Sequence, residues 1–205
     1  MFWNSSTITE DITRMCEAGL ASMMYFYFDF RDKSKQDARA LLSSILIQRS
    51  AQSDPCCDIL SRLYSESNAG SKQPSEDALK ECLKDMLAIP EQGPVFVVID
   101  ALDECPQSAG TPSPRESVLD VVRWLVDLSY SHLHVCVTSR PEADIQIVLQ
   151  TLASHSVSLH NQKGQIEDIN NYIDFFIKSD PSTRKWRKQD QELVISKLSQ
   201  QAGGM

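Results

Sequence analysis

Two rhythms of apolar residues organise this chain. Short unbroken runs, Met23-Met24-Tyr25-Phe26-Tyr27-Phe28, Pro94-Val95-Phe96-Val97-Val98-Ile99 and Leu133-His134-Val135-Cys136-Val137-Thr138, are rich in β-branched and aromatic side chains and read as strands. Between them apolar positions recur every three or four residues. Leu41, Leu42, Ile45 and Leu46 mark a helix from Asp37, Leu79, Cys82, Leu83, Met86 and Leu87 a second after Ser75, and Val118, Val121, Val122 and Leu125 a third. Ser113-Pro114-Arg115-Glu116 starts the third with an N-cap, a proline at N1 and a glutamate at N3. Thr7-Ile8-Thr9-Glu10 has capping-box spacing and predicts a first helix that stops near Gly19. Ile145, Val148, Leu149 and Leu152 predict a helix after the third strand, and a weaker strand is expected around Ser156 to Leu159.

Strands alternating with helices predict an α/β fold with a largely parallel sheet flanked by helices. Ser65 to Ser75 reads as a polar linker, and Pro106 to Pro114 as a Ser/Pro/Gly loop. Beyond Gln165 the pattern is helical throughout, first at Ile166, Ile169, Tyr172, Ile173, Phe176 and Ile177, then at Leu193, Val194 and Leu198. The expected division is an α/β core over residues 1–162 and a small all-helical region over 163–205.

Composition narrows the classes. A chain of 205 residues suits one α/β domain with a small appendage, and its net charge of −8 gives no basic field for nucleic acid or anionic lipid. Arg184, Lys185, Arg187 and Lys188 raise the question of nucleic-acid contact, but a solvated helix face anchored by Trp186 accounts for them. The first 30 residues carry Glu10, Asp11 and Asp29 without an apolar signal core, and no apolar run approaches the ~20 residues of a membrane span. Six cysteines form no C-x-x-C pair and no zinc spacing, so a reduced, cytoplasmic setting is expected. Cys56-Cys57 reads as structural, and the four histidines accompany no nucleophile.

The chemistry concentrates where the second strand ends. Ile99-Asp100-Ala101-Leu102-Asp103-Glu104 places three carboxylates within five positions at the edge where open α/β sheets bind ligands. Burying them requires a cation or hydrogen-bond donors. This is the form of a Walker B segment. Asp100 is placed to hold magnesium through its water shell, Glu104 to polarise an attacking water, and Asp103 to share the metal field or cap the turn. A polar strand-to-loop transition without a ligand is the competing reading. Thr138-Ser139-Arg140-Pro141 ends the neighbouring strand, where hydroxyls and a guanidinium suit a γ-phosphate. Equally, Thr138 or Ser139 caps the next helix, Pro141 takes its first position, and Arg140 pairs with Asp103 or Glu104.

Together Tyr25-Phe26-Tyr27-Phe28-Asp29, the helix from Asp37 to Ile47, Val97 to Glu104 and Val137 to Pro141 resemble the NACHT NTPases, of the nephrocystin-3-like N-terminal type common in fungal signalling proteins. Ile166-Glu167-Asp168-Ile169 and Tyr172-Ile173 are similar to the lid region that follows that core. The resemblance implies a P-loop NTPase-like sheet, magnesium with ATP or GTP as cofactors, and a nucleotide-driven conformational switch in signal transduction. It also implies flanking effector and ankyrin, WD40 or TPR repeat domains, with protein partners or self-association.

One family motif has no counterpart. No stretch reads G-x-x-x-x-G-K-[ST]; no glycine precedes Gly19 and no lysine precedes Lys33. That loop supplies the N–H groups, the lysine and the hydroxyl that hold phosphates and magnesium. Without it Asp100 and Glu104 repel a triphosphate, so this chain alone is expected to bind no nucleotide. The resemblance further implies a missing P-loop strand between the third strand and the weaker strand near Ser156 to Leu159, leaving two strand edges unpaired, and a chain cut at both ends. Two functions follow as expectations: part of a switch NTPase, or a non-enzymatic pseudo-NTPase module that pairs with intact relatives.

Overall fold

The computed structural model describes residues 3–68, 70–107, 112–157, 163–180 and 182–202. Its elements are α1 (Trp3–Glu17), β1 (Ser22–Tyr27), α2 (Ala38–Ser50), α3 (Asp54–Glu66), α4 (Glu76–Leu87), β2 (Val95–Asp100), α5 (Pro114–Asp127), β3 (Leu133–Val137), α6 (Ala143–Leu152), α7 (Lys163–Ser179) and α8 (Lys188–Ala202). They fall into two compact units, Met1–Leu152 and Ala153–Met205. In the first, the described strands form a sheet of order β1-β2-β3 with both pairings parallel, the expected α/β architecture.

The central strand is β2. Val95, Val97, Val98 and Ile99 are at most 1% exposed, as an unbroken apolar run between two covered faces should be. Each such side chain contributes roughly 1.5–3 kcal/mol of transfer free energy. The register sets Tyr27 opposite Asp100 on one side and Ile99 opposite Val137 on the other. All three strands therefore deliver their C-terminal ends to one edge. Met24, Phe26 and Phe28 of the first strand region, Leu41, Leu42, Ile45 and Leu46 of α2, Leu83, Met86 and Leu87 of α4, and Val118, Val121, Val122 and Leu125 of α5 complete one core.

Helix starts follow local chemistry. Asp37 accepts from Ala40 N–H at 2.8 Å, and Ser75 from Ala78 N–H at 3.2 Å. At α5 the full capping box is present: Ser113 Oγ accepts from Glu116 N–H at 3.2 Å and Glu116 Oε2 from Ser113 N–H at 2.7 Å. The outer edge of β1 is closed by side chains of α2 and of the turn that follows it. Gln48 accepts from Tyr25 N–H at 2.9 Å and donates to Tyr25 C=O at 2.8 Å, copying a neighbouring strand, and Gln52 donates to Met23 C=O at 2.6 Å. On the other side β3 is the edge among the described residues, and its side chains are only partly covered.

Several boundaries differ from expectation. The first helix begins at Trp3, so Thr7–Glu10 lies inside it; Thr13 Oγ1 bonds back to Thr9 C=O at 2.7 Å, a hydroxyl arrangement that helices accommodate. Helix α3 was not expected. Pro55 sits in its first turn, where proline fits, Cys56 is fully buried, and Ile59, Leu60 and Leu63 pack on the core. It carries ordered structure to Glu66 and shortens the linker. Helix α6 opens at Ala143 rather than at Pro141. The expected strand at Ser156 to Leu159 extends into residues 158–159, outside the described residues.

The second unit is built on α7 packed against α8. Their connection is pinned by Thr183, whose hydroxyl donates to Ile177 C=O at 2.7 Å and whose carbonyl accepts from Gln191 at 3.0 Å. Residues 182–185 form turns, so the basic stretch before Lys188 is a connection and not a helix face; Trp186 is 45% exposed. Among the described residues no helix is long and apolar enough to cross a membrane.

Candidate functional site

Strand β2 ends on Asp100, and the chain turns at once. Ala101 has φ 54° and ψ 46°, a left-handed conformation uncommon for a residue with a Cβ, and a single 3-10 turn, Leu102–Glu104, follows. The turn is locked to the end of β3: Thr138 N–H donates to Ile99 C=O at 2.9 Å, and Leu102 N–H to Thr138 C=O at 3.0 Å. Asp100, Asp103, Glu104, Thr138, Ser139 and Arg140 thus lie on two adjoining loops at the carboxyl edge of the sheet, the place the sequence assigns them.

Asp100 is surrounded by donors. Oδ1 accepts from the Thr138 hydroxyl and from Ala101 N–H at 3.1 Å, and Oδ2 accepts from the Tyr25 phenol at 3.0 Å. Ala101 N–H is shared with Thr138 Oγ1, also at 3.1 Å. Tyr25 in turn is pushed well above the ordinary tyrosine range, first by burial and then by the adjacent Asp100 carboxylate. Burial, with a smaller push from Asp100, also raises the Cys136 thiol on β3.

Asp103 is held at both ends. Its Oδ1 accepts from Arg140 N–H at 2.9 Å, and its Oδ2 lies 3.4 Å from Arg140 Nε. The pairing of Arg140 with an acid of the turn, one of the two sequence readings, is the arrangement present. Glu104 is not part of it; its Oε2 accepts from Phe30 N–H at 3.3 Å, on the loop after β1. Ser139 turns its hydroxyl to Arg140 C=O at 2.5 Å.

Two residues of this region escaped the sequence reading. Tyr25 was read only as a strand residue; a phenol one turn of the pleat from the strand end was the available signal. Arg115 was read only as part of a helix start. Its guanidinium is buried, donating from Nε to Cys105 C=O at 2.9 Å, from Nη2 to Asp103 C=O at 2.6 Å, and from Nη1 to Glu142 and, at 3.3 Å, to Asp144. A cation in a helix's first turn opposes the helix dipole by about 0.3–1 kcal/mol, so Arg115 at N2 was itself a sign of a tertiary partner. Cys105 is fully buried, its thiol pushed up to about 12 by that burial and pointed at Gln36 C=O, 3.2 Å away.

The donor set limits what the site holds. Among the described residues no three His, Cys, Asp or Glu side chains converge as a metal cage. A carboxylate offers about four lone-pair positions, and Asp100 already accepts three bonds. That leaves room for one metal-bound water and fits an outer-sphere magnesium ion.

The sequence profile of the family described as Nephrocystin 3, N-terminal, matches residues 4–140, a span that ends on Arg140 and contains both loops of the site. No curated protein and no solved structure matches the chain.

Proposed function

The chain belongs to the nephrocystin 3 N-terminal family, and from that premise we propose that it carries the magnesium and sensor half of a NACHT-type nucleoside-triphosphate switch. The observation that carries this reading is the meeting of Asp100 with Thr138 and of Asp103 with Arg140 where two adjoining parallel strands end, with Glu104 on the same turn as Asp103. In this reading Asp100 holds magnesium through water, and the ion supplies charge neutralisation to the phosphates. Glu104 orients and deprotonates the attacking water. Thr138 and Ser139 offer hydroxyls at the phosphate position, and Arg140 exchanges Asp103 for the γ-phosphate, a trade between two oxyanions that guanidinium geometry favours. Asp103 holds Arg140 ready until then. Breaking that contact on nucleotide arrival supplies the switch. ATP and GTP both satisfy this chemistry, and the working setting is the cytoplasm, within a protein whose effector and repeat regions form the partners.

A second reading, a non-enzymatic module that pairs with related proteins, is favoured by one observation. The acids of the site are met from within: Arg140 pairs with Asp103, the Tyr25 and Thr138 hydroxyls donate to Asp100, and Phe30 N–H donates to Glu104.

Calorimetric titration with Mg-ATP and Mg-GTP separates the two. The 205-residue chain is expected to show no saturable heat. A version extended at its N-terminus by a strand and a G-x-x-x-x-G-K-[ST] loop is expected to bind in the micromolar range. Failure of the extended, folded version to bind either nucleotide would leave the pairing module as the function.

A further inference from the structure

Beside the direct bonds from Leu102 to Thr138 and from Arg140 to Asp103, the two loops of the site are bridged by a residue outside both of them. Arg115 lies in the first turn of α5, with its side chain 6% exposed. Two of its nitrogens take the carbonyls of Asp103 and Cys105, the residues on either side of Glu104. Its remaining nitrogen takes Glu142, two residues beyond Arg140, and Asp144 at the start of α6. Its own backbone N–H donates to Pro106 C=O at 3.1 Å. A planar guanidinium can hold these partners at once because its donors point in fixed, divergent directions; an ammonium on a flexible stem cannot.

From this geometry we infer that Arg115 is the positioning residue that keeps Glu104 and Arg140 in register, by clamping the carbonyls flanking Glu104 to the acidic start of the loop behind Arg140. The Asp103 carbonyl belongs to the peptide unit that enters Glu104, and the Cys105 carbonyl fixes the chain just beyond it, so the two bonds hold the turn on both sides of Glu104. Glu142 fixes how far the Arg140 loop stands from that turn. Loosening the clamp frees both loops without removing any group of the site or any side chain of the β1-β2-β3 core. The inference rests on the reading of the two loops as one site, but its physical content, coupling of the loops through Arg115, is measured without nucleotide.

The test is native-state hydrogen exchange by NMR on the full 205-residue chain, comparing Arg115→Lys and Glu142→Gln with the parent. The reporting amides are Leu102, bonded to Thr138 C=O, and Arg140, bonded to Asp103 Oδ1. Val97 and Val98 on the central strand report global stability. In Arg115→Lys both reporters are expected to exchange at least about tenfold faster while the strand amides keep their rates. That factor corresponds to about 1.4 kcal/mol of local opening. Glu142→Gln, which leaves the core and the carbonyl contacts in place, is expected to accelerate Arg140 and leave Leu102 nearly unchanged. Parent-like rates at both reporters in both variants overturn the positioning role. Uniform acceleration of reporters and strand amides in Arg115→Lys, with no effect of Glu142→Gln, makes Arg115 a stability residue and overturns it too. Nucleotide binding by the P-loop-bearing version is read in a separate experiment, so coupling without binding would sink the switch reading and leave the clamp standing.

Discussion

The Thr138 hydroxyl donates to Asp100 Oδ1 across the ends of β2 and β3, and the two residues share the N–H of Ala101 between them. A hydrogen bond to a partly buried carboxylate contributes about 1.5–3 kcal/mol. Thr138→Val keeps shape and removes the donor, so it is expected to lower unfolding free energy by that amount. Thr138→Ser keeps the hydroxyl and is expected to cost under about 1 kcal/mol, the transfer value of one methyl group. Urea unfolding midpoints decide it: equal losses in the two variants would mean that the bond to Asp100 contributes nothing.

On its other side Asp100 takes the phenol of Tyr25, whose ionisation is pushed upward first by burial and then by that carboxylate. The sign of the linkage follows. The folded state holds the Tyr25 proton to higher pH than the unfolded state, so the stabilisation is complete below the unfolded value of about 10 and is lost as pH rises beyond it. Tyrosinate absorbance, read as the difference between the parent and Tyr25→Phe, is expected to place Tyr25 above the ordinary range. Asp100→Asn should bring it partway down, because burial, the largest cause, remains. A Tyr25 that ionises at the ordinary value in folded protein contradicts the contact.

At the opposite end of the sheet, Arg49 is 4% exposed and has no carboxylate within ion-pair distance among the described residues. Its Nη1 donates to Ser22 Oγ at 3.0 Å, its Nη2 donates to Gln92, and its Nε has no partner. Gln92 passes the polarity on, its amide donating to the carbonyls of Met86, Leu87 and Ile89 at 3.1, 2.9 and 2.6 Å, around the C-terminus of α4. Arg49 thus stands in the last turn of α2, where a cation offsets the negative pole of the helix, and is linked through Gln92 to the carbonyls at the end of α4. Gln92→Ala strips the buried guanidinium of an acceptor and takes a donor from each of those carbonyls, of which Leu87 C=O keeps the His132 ring, 3.0 Å away, at an expected cost of about 2–4 kcal/mol. Arg49→Met removes charge and orphaned donor together and is expected to cost less. Chemical denaturation of both variants measures the order, and a larger loss in Arg49→Met refutes the account.

The contrast between these networks and the strands shows what a single sequence carries. Strand β2, the capping box at Ser113 and Glu116, and the helix starts at Asp37 and Ser75 depend on neighbours within a few positions, and all were legible. So was the gathering of Asp100 and Thr138 at one edge, because parallel strands of matched register must end together. Helix α3 has the weaker local signal: its Ser53 makes no side-chain cap bond, and only Ile59, Leu60 and Leu63 mark its apolar face after the cysteine pair. The capping box at Thr7 failed for the opposite reason: a good local signal lay inside a helix already begun at Trp3. Arg49 with Gln92, and Arg115 with Glu142, are separated by 43 and 27 positions. Nothing local marks such pairs, except that Arg115 stands at the wrong end of its helix for a cation.

Glu104 is the residue on which the enzymatic reading turns. One of its oxygens is engaged by Phe30 N–H at 3.3 Å, a long bond on the exposed side of the turn, so leaving it costs little. Glutamine at this position keeps the size and the acceptor for Phe30 but cannot take a proton from water. In the P-loop-bearing version, Glu104→Gln is therefore expected to bind Mg-ATP or Mg-GTP as tightly as its parent and to hydrolyse it about 10²–10⁴-fold more slowly, the usual contribution of a positioned base. Phosphate release under single-turnover conditions measures it. Unchanged turnover removes Glu104 from the base role and moves the search to Asp103, which would first have to release Arg140.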